Sequence, residues 1–202
     1  FTNMLYKKTR LEDTFGVNML AVADGKPETL SLRQILEHYI EFQYELNTRK
    51  YRTLWTKEQE KREIQEGLIK ACEVIDLIIE ILRGSKNIKD AKACLTAGVT
   101  EGIRFKSEAS KKRAAKLRFT ERQAQAILEM RLYRLIGLEI QALMEENQKT
   151  LKNIAEYEDI LENHASMTKV ILKDMDAIKK AYARPRRTAV ENAEAIVYEE
   201  KK

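Results

Sequence analysis

No proline occurs between Pro27 and Pro185, and no glycine between Gly25 and Gly67. Proline removes a backbone donor and clashes with the preceding turn, while glycine loses the most conformational freedom in a helix. A stretch free of both is open to unbroken helix. The 202 residues hold 7 glycines and 2 prolines, where average usage would supply roughly two dozen. So few turn formers exclude a fold of many short strands. Between residues 32 and 82 the apolar positions, among them Leu32, Ile35, Leu36, Tyr39, Ile64, Leu68, Ala71, Ile75, Ile78 and Leu82, fall mostly three or four apart. That spacing predicts one helical face held over about 50 residues. At about 1.5 Å per residue such a helix spans roughly 75 Å, and helices this long pair with a partner helix.

The rest of the chain divides around that helix. Residues 1–13 fit a short helix ended by Phe15-Gly16. The apolar run 17–23, the turn Asp24-Gly25-Lys26-Pro27 and then Glu28-Thr29-Leu30 predict a β-hairpin, because Asp-Gly suits a tight hairpin turn. Ser31-Leu32-Arg33-Gln34 has the form of a capping box that starts the long helix, and Arg83-Gly84-Ser85 closes it. A short helix is expected over 87–97. Thr120-Glu121-Arg122-Gln123 is a second capping box, opening an apolar helix with Ala124, Ala126, Ile127, Leu128, Met130, Leu132 and Leu135 that breaks at Gly137. An amphipathic helix follows over 138–162, with a break at Asn163-His164 and a continuation over 167–182. The expected fold is mainly α: a long antiparallel coiled-coil arm, a small helical globular knob at its tip and a short β-hairpin near the N-terminus. The corresponding segments are 1–31 (hairpin region), 32–83 (outgoing helix), 84–137 (knob), 138–184 (returning helices) and a charged tail, 185–202.

Chemistry is signalled mostly by absence. The longest apolar run, residues 74–82, is interrupted by Asp76 and Glu80, and a membrane span needs about 20 apolar residues. No targeting segment is evident, and the opening Phe-Thr-Asn-Met reads as the inside of a longer protein. Cys72 and Cys94 lie in helix-like runs without metal-ligand spacing, so buried thiols in a reducing compartment are expected. His38 and His164 lack ligand partners at useful spacing. On a helix Asp174 and Asp176 diverge by about 200°, which describes a solvated face and not a metal site. No glycine-rich phosphate loop is present. The net charge of +5 permits a nucleic-acid partner without demanding one. Arg49, Lys50, Arg52, Lys57, Lys61 and Arg62 are interleaved with Glu58, Glu60 and Glu63, as on a solvated face. Residues 104–118 are less compensated, with seven Lys and Arg against Glu108 alone. The helix 123–135 carries many apolar residues for the tip of an arm, which points to packing within the knob and contact with a second copy.

Several motifs are specific when taken together. In order along the chain they are Leu5-Tyr6-Lys7-Lys8-Thr9-Arg10-Leu11, Phe15-Gly16-Val17-Asn18-Met19-Leu20-Ala21, Asp24-Gly25-Lys26-Pro27, Leu36-Glu37-His38-Tyr39-Ile40, Thr48-Arg49 and Glu66-Gly67-Leu68. They continue with Gln123-Ala124-Gln125-Ala126-Ile127-Leu128-Glu129-Met130-Arg131-Leu132, Leu135-Ile136-Gly137-Leu138-Glu139 and Arg186-Arg187-Thr188. This order resembles the A subunits of bacterial type IIA DNA topoisomerases, DNA gyrase and topoisomerase IV, over nearly the whole chain. Two departures stand out. The basic segment 99–118 intervenes where many members pass almost directly to the Gln-Ala-Gln-Ala helix, and Ile136 stands where threonine is common.

The resemblance implies the back part of the breakage–reunion region. Residues 1–31 would end the tower domain, the long helices would form the coiled-coil arm, and 84–137 would be the knob that dimerises as the exit gate. Candidate gate residues are Ala124, Ile127, Leu128, Met130, Arg131, Leu132, Leu135 and Leu138. Candidate DNA contacts are Lys7, Lys8, Arg10, Arg49 and Arg52. The family's nucleophile is a tyrosine preceded by arginine on an upstream domain. None of the eight tyrosines here follows an arginine, so the segment by itself is expected not to cleave DNA. The implied partners are a second copy, the topoisomerase B subunit in an A2B2 holoenzyme and double-stranded DNA. The implied cofactors, Mg2+ and ATP, belong to the B subunit, and the implied location is the bacterial cytoplasm at the nucleoid. Two readings compete with this one: an unrelated helical scaffold and a DNA-binding module in its own right.

Overall fold

The computed structural model describes residues 1–11, 13–130 and 137–190, with side chains of the last range from residue 140 onward. Among them are eight helices and one two-stranded antiparallel sheet. The chain is mainly α, with one helix of 42 residues, as the scarcity of turn formers requires. It divides into two compact units, one of Phe1–Leu46 with Thr168–Lys202 and one of Asn47–Met167.

The first unit opens with α1 (Thr2–Lys8), which buries no residue. This helix is shorter than the 1–13 expected. Thr9 is extended (φ −129°, ψ 170°) and both its N–H and its hydroxyl donate to the Leu5 carbonyl, closing the last turn. β1 (Leu20–Ala23) pairs with β2 (Lys26–Thr29) in the register Leu20↔Thr29 to Ala23↔Lys26. Only Asp24 and Gly25 form the turn, and both have positive φ (50° and 77°), the conformation that matches the twist of a two-residue hairpin. Lys26 and Pro27, expected in the turn, are strand residues. α2 (Leu32–Glu73) then starts from the expected cap. The Ser31 N–H donates to Gln34 Oε1 at 2.8 Å and the Gln34 N–H to Ser31 Oγ at 3.3 Å. Further along α2, the Tyr44 hydroxyl lies 2.5 Å from that of Thr168 on α8 (His164–Tyr182).

In the second unit the remainder of α2 runs antiparallel to α7 (Gly137–Glu162). The direction follows from the cross-links. Gln65 meets Asn147, Lys61 meets Glu146 at 2.7 Å, the Trp55 indole N–H donates to Glu158 at 2.9 Å, and the Tyr51 and Tyr157 rings stand 5.6 Å apart. Residues 61–65 of α2 meet 146–147 of α7, and residues 51–55, earlier in α2, meet 157–158, later in α7. The helix expected over 32–83 is two helices. α2 ends at Glu73, Val74 leaves helical dihedrals (φ −120°, ψ 27°), and α3 (Ile75–Gly84) begins. The break turns Leu77, Ile78 and Ile81 into a core shared with α4 (Ile88–Ala97), α5 (Glu108–Ala114) and α6 (Glu121–Leu128). Leu68, Ala71, Leu95, Ile103, Phe119 and Ile127 complete its larger contacts. Unlike α3, the short helices α4, α5 and α6 each have a side-chain cap. Asn87 accepts from the Asp90 N–H, Ser107 from that of Ser110, and Thr120 from that of Gln123. Such caps help a short helix, since four donors at each N-terminus otherwise lack partners.

Candidate functional site

The second capping box does more than start α6. The Gln123 Oε1 accepts from the Thr120 N–H at 3.0 Å, while its Nε2 donates to the Glu63 carbonyl on α2 at 2.8 Å. The Thr120 hydroxyl donates to Glu63 Oε1 at 2.6 Å, and Arg122 pairs with Glu60 at 2.9 Å. Gln123 is 8% exposed. It fits there because residue 67 is glycine: a Cβ at Gly67 would lie 2.7 Å from the Gln123 Cβ. Sequence reasoning recognises Gln123 as a cap and Glu66-Gly67-Leu68 as a motif, but nothing in it joins the two. The partner, Glu63, is 60 residues from Gln123.

This anchoring decides where the candidate gate residues lie. Ala124 (0% exposed) and Ile127 (3%) face inward and belong to the core. Leu128, Met130 and Ala126 are half-buried against the same core and keep part of their surface open. α6 ends at Leu128, earlier than the helix expected over 123–135; Glu129 is a turn residue, and Met130 lies outside the helix with its N–H donating to the Ile127 carbonyl. Arg131, Leu132 and Leu135 lie outside the described residues; Leu138 falls within α7 but outside the described side chains.

The candidate DNA contacts fall into two groups. Lys7, Lys8 and Arg10 are exposed in the first unit, whereas Arg49 and Arg52 are exposed on the second unit's part of α2. By contrast, the seven Lys and Arg of residues 104–118 lie within a single unit, and all are exposed.

Titration adds little chemistry. The Glu146 carboxylate, bonded to the Lys61 ammonium, raises its pKa. Burial raises the pKa of the Cys72 and Cys94 thiols, and Cys94 is fully enclosed. His38 and His164 are exposed, as are Asp174 and Asp176. Among the described residues no group of three or more His, Cys, Asp or Glu could hold a metal ion, and no helix is long and apolar enough to cross a membrane. What the site offers is contact: an anchored helix with a half-open apolar edge, and a cationic surface.

Comparison with known proteins gives the arrangement a family context. The family model for the A subunit of DNA gyrase/topoisomerase IV matches residues 1–176. The DNA gyrase A subunit of Clostridium acetobutylicum is 40% identical over 192 residues, covering 95% of this chain and 21% of that protein. The DNA topoisomerase 4 A subunit of Bacillus subtilis is 38% identical over 189 residues, 94% of this chain and 21% of that protein. The DNA gyrase A subunit of Streptococcus pneumoniae is 38% identical over 186 residues, 92% and 20% respectively. The chain spans about a fifth of the length of these curated relatives.

Proposed function

This chain belongs to the family of DNA gyrase and topoisomerase IV A subunits, and from that premise we propose that it forms the exit gate of a type IIA DNA topoisomerase. The whole protein, two A and two B subunits in an A2B2 assembly, passes one DNA duplex through a transient double-strand break in another. The segment described here holds two A subunits together below the break and opens to release the transported duplex. Its work is mechanical. The family's nucleophile is a tyrosine preceded by arginine, no tyrosine here follows an arginine, and on this reading the segment alone does not cut DNA. On this reading Mg2+ and ATP belong to the B subunit.

The anchoring of α6 is the observation that carries this reading. A gate contact must bear load while broken DNA ends are held, so its surface needs rigid backing. Gln123 and Thr120 tie α6 to α2 through Glu63, and Ala124 and Ile127 lock its inner face into the core. Leu128 and Met130 keep part of their surface available to a second copy, and Arg131, Leu132, Leu135 and Leu138 are the candidates that follow them in sequence.

Replacing Leu128 or Leu132 by glutamate tests this directly. A carboxylate entering an apolar contact without a partner is strongly disfavoured, so each variant is expected to shift the dimer towards monomer in sedimentation velocity while helicity is retained. An unchanged dimer in both variants would exclude this face as the gate.

A further inference from the structure

Positive charge is concentrated in one part of this molecule. Residues 83–118 hold eleven Lys and Arg against three Asp and Glu, a net +8, although the whole chain carries +5. Everything outside that stretch therefore sums to −3. Within it, Arg104, Lys106, Lys111, Lys112, Arg113, Lys116 and Arg118 are all exposed. Arg118 donates to the carbonyls of Ala115 and Leu117. The other six make no ion pair among the described residues.

The segment is nonetheless firmly held. Ile103, Ala114 and Phe119 are buried in the core, and Phe105 and Leu117 pack against it. The Arg104 N–H donates to the Gly84 carbonyl at 3.1 Å and the Phe119 N–H to that of Leu95 at 3.0 Å. Apolar residues point in and cations point out, so the charge sits on an ordered surface whose backbone needs no further ordering on binding.

We propose that residues 104–118 are a docking surface for the phosphate backbone of double-stranded DNA, read without regard to sequence. A protein partner fits poorly. Interfaces between proteins are depleted in Lys and centred on apolar or aromatic anchors, and residues 100–118 expose no large hydrophobic side chain. A single strand fits poorly as well, because such binding uses exposed aromatic platforms, and Phe105 and Phe119 are turned inward. The choice of DNA as the polyanion rests on the gate reading above; the concentration of charge does not.

The test is anisotropy of a labelled duplex of about 20 base pairs binding the full chain at several salt concentrations, with a single strand of equal length for comparison. Lys111→Glu/Lys112→Glu/Arg113→Glu is compared with Lys173→Glu/Lys179→Glu/Lys180→Glu on α8, which removes the same charge elsewhere. The α5 variant is expected to bind at least about tenfold more weakly, with the salt slope reduced by about 2 to 3, roughly 0.9 per lost phosphate contact. The α8 variant should stay near the parent. Equal loss in both variants, no loss in the α5 variant, or tighter binding of the single strand would overturn the proposal. If helicity shows that the glutamate variant has not folded, Lys111→Gln/Lys112→Gln/Arg113→Gln decides by the same criteria. Light scattering without DNA separates this from the gate: weakened DNA binding at unchanged mass bears on residues 104–118, and an altered mass on α6.

Discussion

Gln123 joins two helices whose contacting residues lie 60 positions apart, and its bonds are enclosed enough for their loss to be felt. Gln123→Ala would leave the Glu63 carbonyl and the Thr120 N–H without these partners, which costs about 1 to 3 kcal/mol and should appear as an earlier urea midpoint. Gly67→Ala tests the same junction from the other side. Alanine favours a helix by about 1 kcal/mol, but its Cβ would overlap Gln123. The overlap involves the Gln123 Cβ and not merely a mobile end, so net destabilisation is expected. Cys94 gives a chemical check on the core. Its raised pKa leaves less thiolate at pH 8 than a free cysteine would have, and no surface is open to reagent. Alkylation followed by mass spectrometry should find it unreactive until denaturant is added. A motif search reveals the cap at Thr120-Gln123 but not the anchor, because no local pattern encodes a contact across 60 residues.

Gln65 on α2 and Asn147 and Thr150 on α7 are buried polar residues. The Asn147 amide donates to Gln65 Oε1 at 3.4 Å, leaving Gln65 Nε2 and Thr150 Oγ1 buried without a partner. Thr150→Val, which keeps the shape and removes the hydroxyl, should therefore stabilise by about 1 kcal/mol in urea unfolding. Asn147→Leu alone should destabilise by stranding Gln65, whereas Gln65→Leu/Asn147→Leu should recover parental stability or exceed it. A double-mutant cycle measures that coupling. At this scale most of the fold was legible in the sequence. Both capping boxes, the Asp24-Gly25 hairpin and the Asn163 break carry local signals, and each is an element boundary in the structure. The break at Val74 carries none. No glycine or proline marks it, and it exists because the tertiary core draws in Leu77, Ile78 and Ile81. α6 is likewise shorter than its apolar pattern suggests, since periodicity reports a face and not where hydrogen bonding stops.

For the molecule as a whole, the ordered motifs identify the family, while the site is only partly legible. Ala124 and Ile127 look like interface residues in a one-dimensional pattern, yet they fill the core, because an apolar stripe is the same whether a partner lies within the chain or beyond it. The basic run 104–118 reads in one dimension only as poorly compensated charge, and its buried Ala114, flanked by buried Ile103 and Phe119, shows it to be a folded surface. The gate itself depends on self-association. Its most direct test is the mass of the unmodified chain by light scattering across a concentration series. A species of about 47 kDa, twice the 23.5 kDa chain, persisting at low micromolar concentration is the expected result. A helical monomer throughout the series would contradict the assignment of the gate contact to this segment.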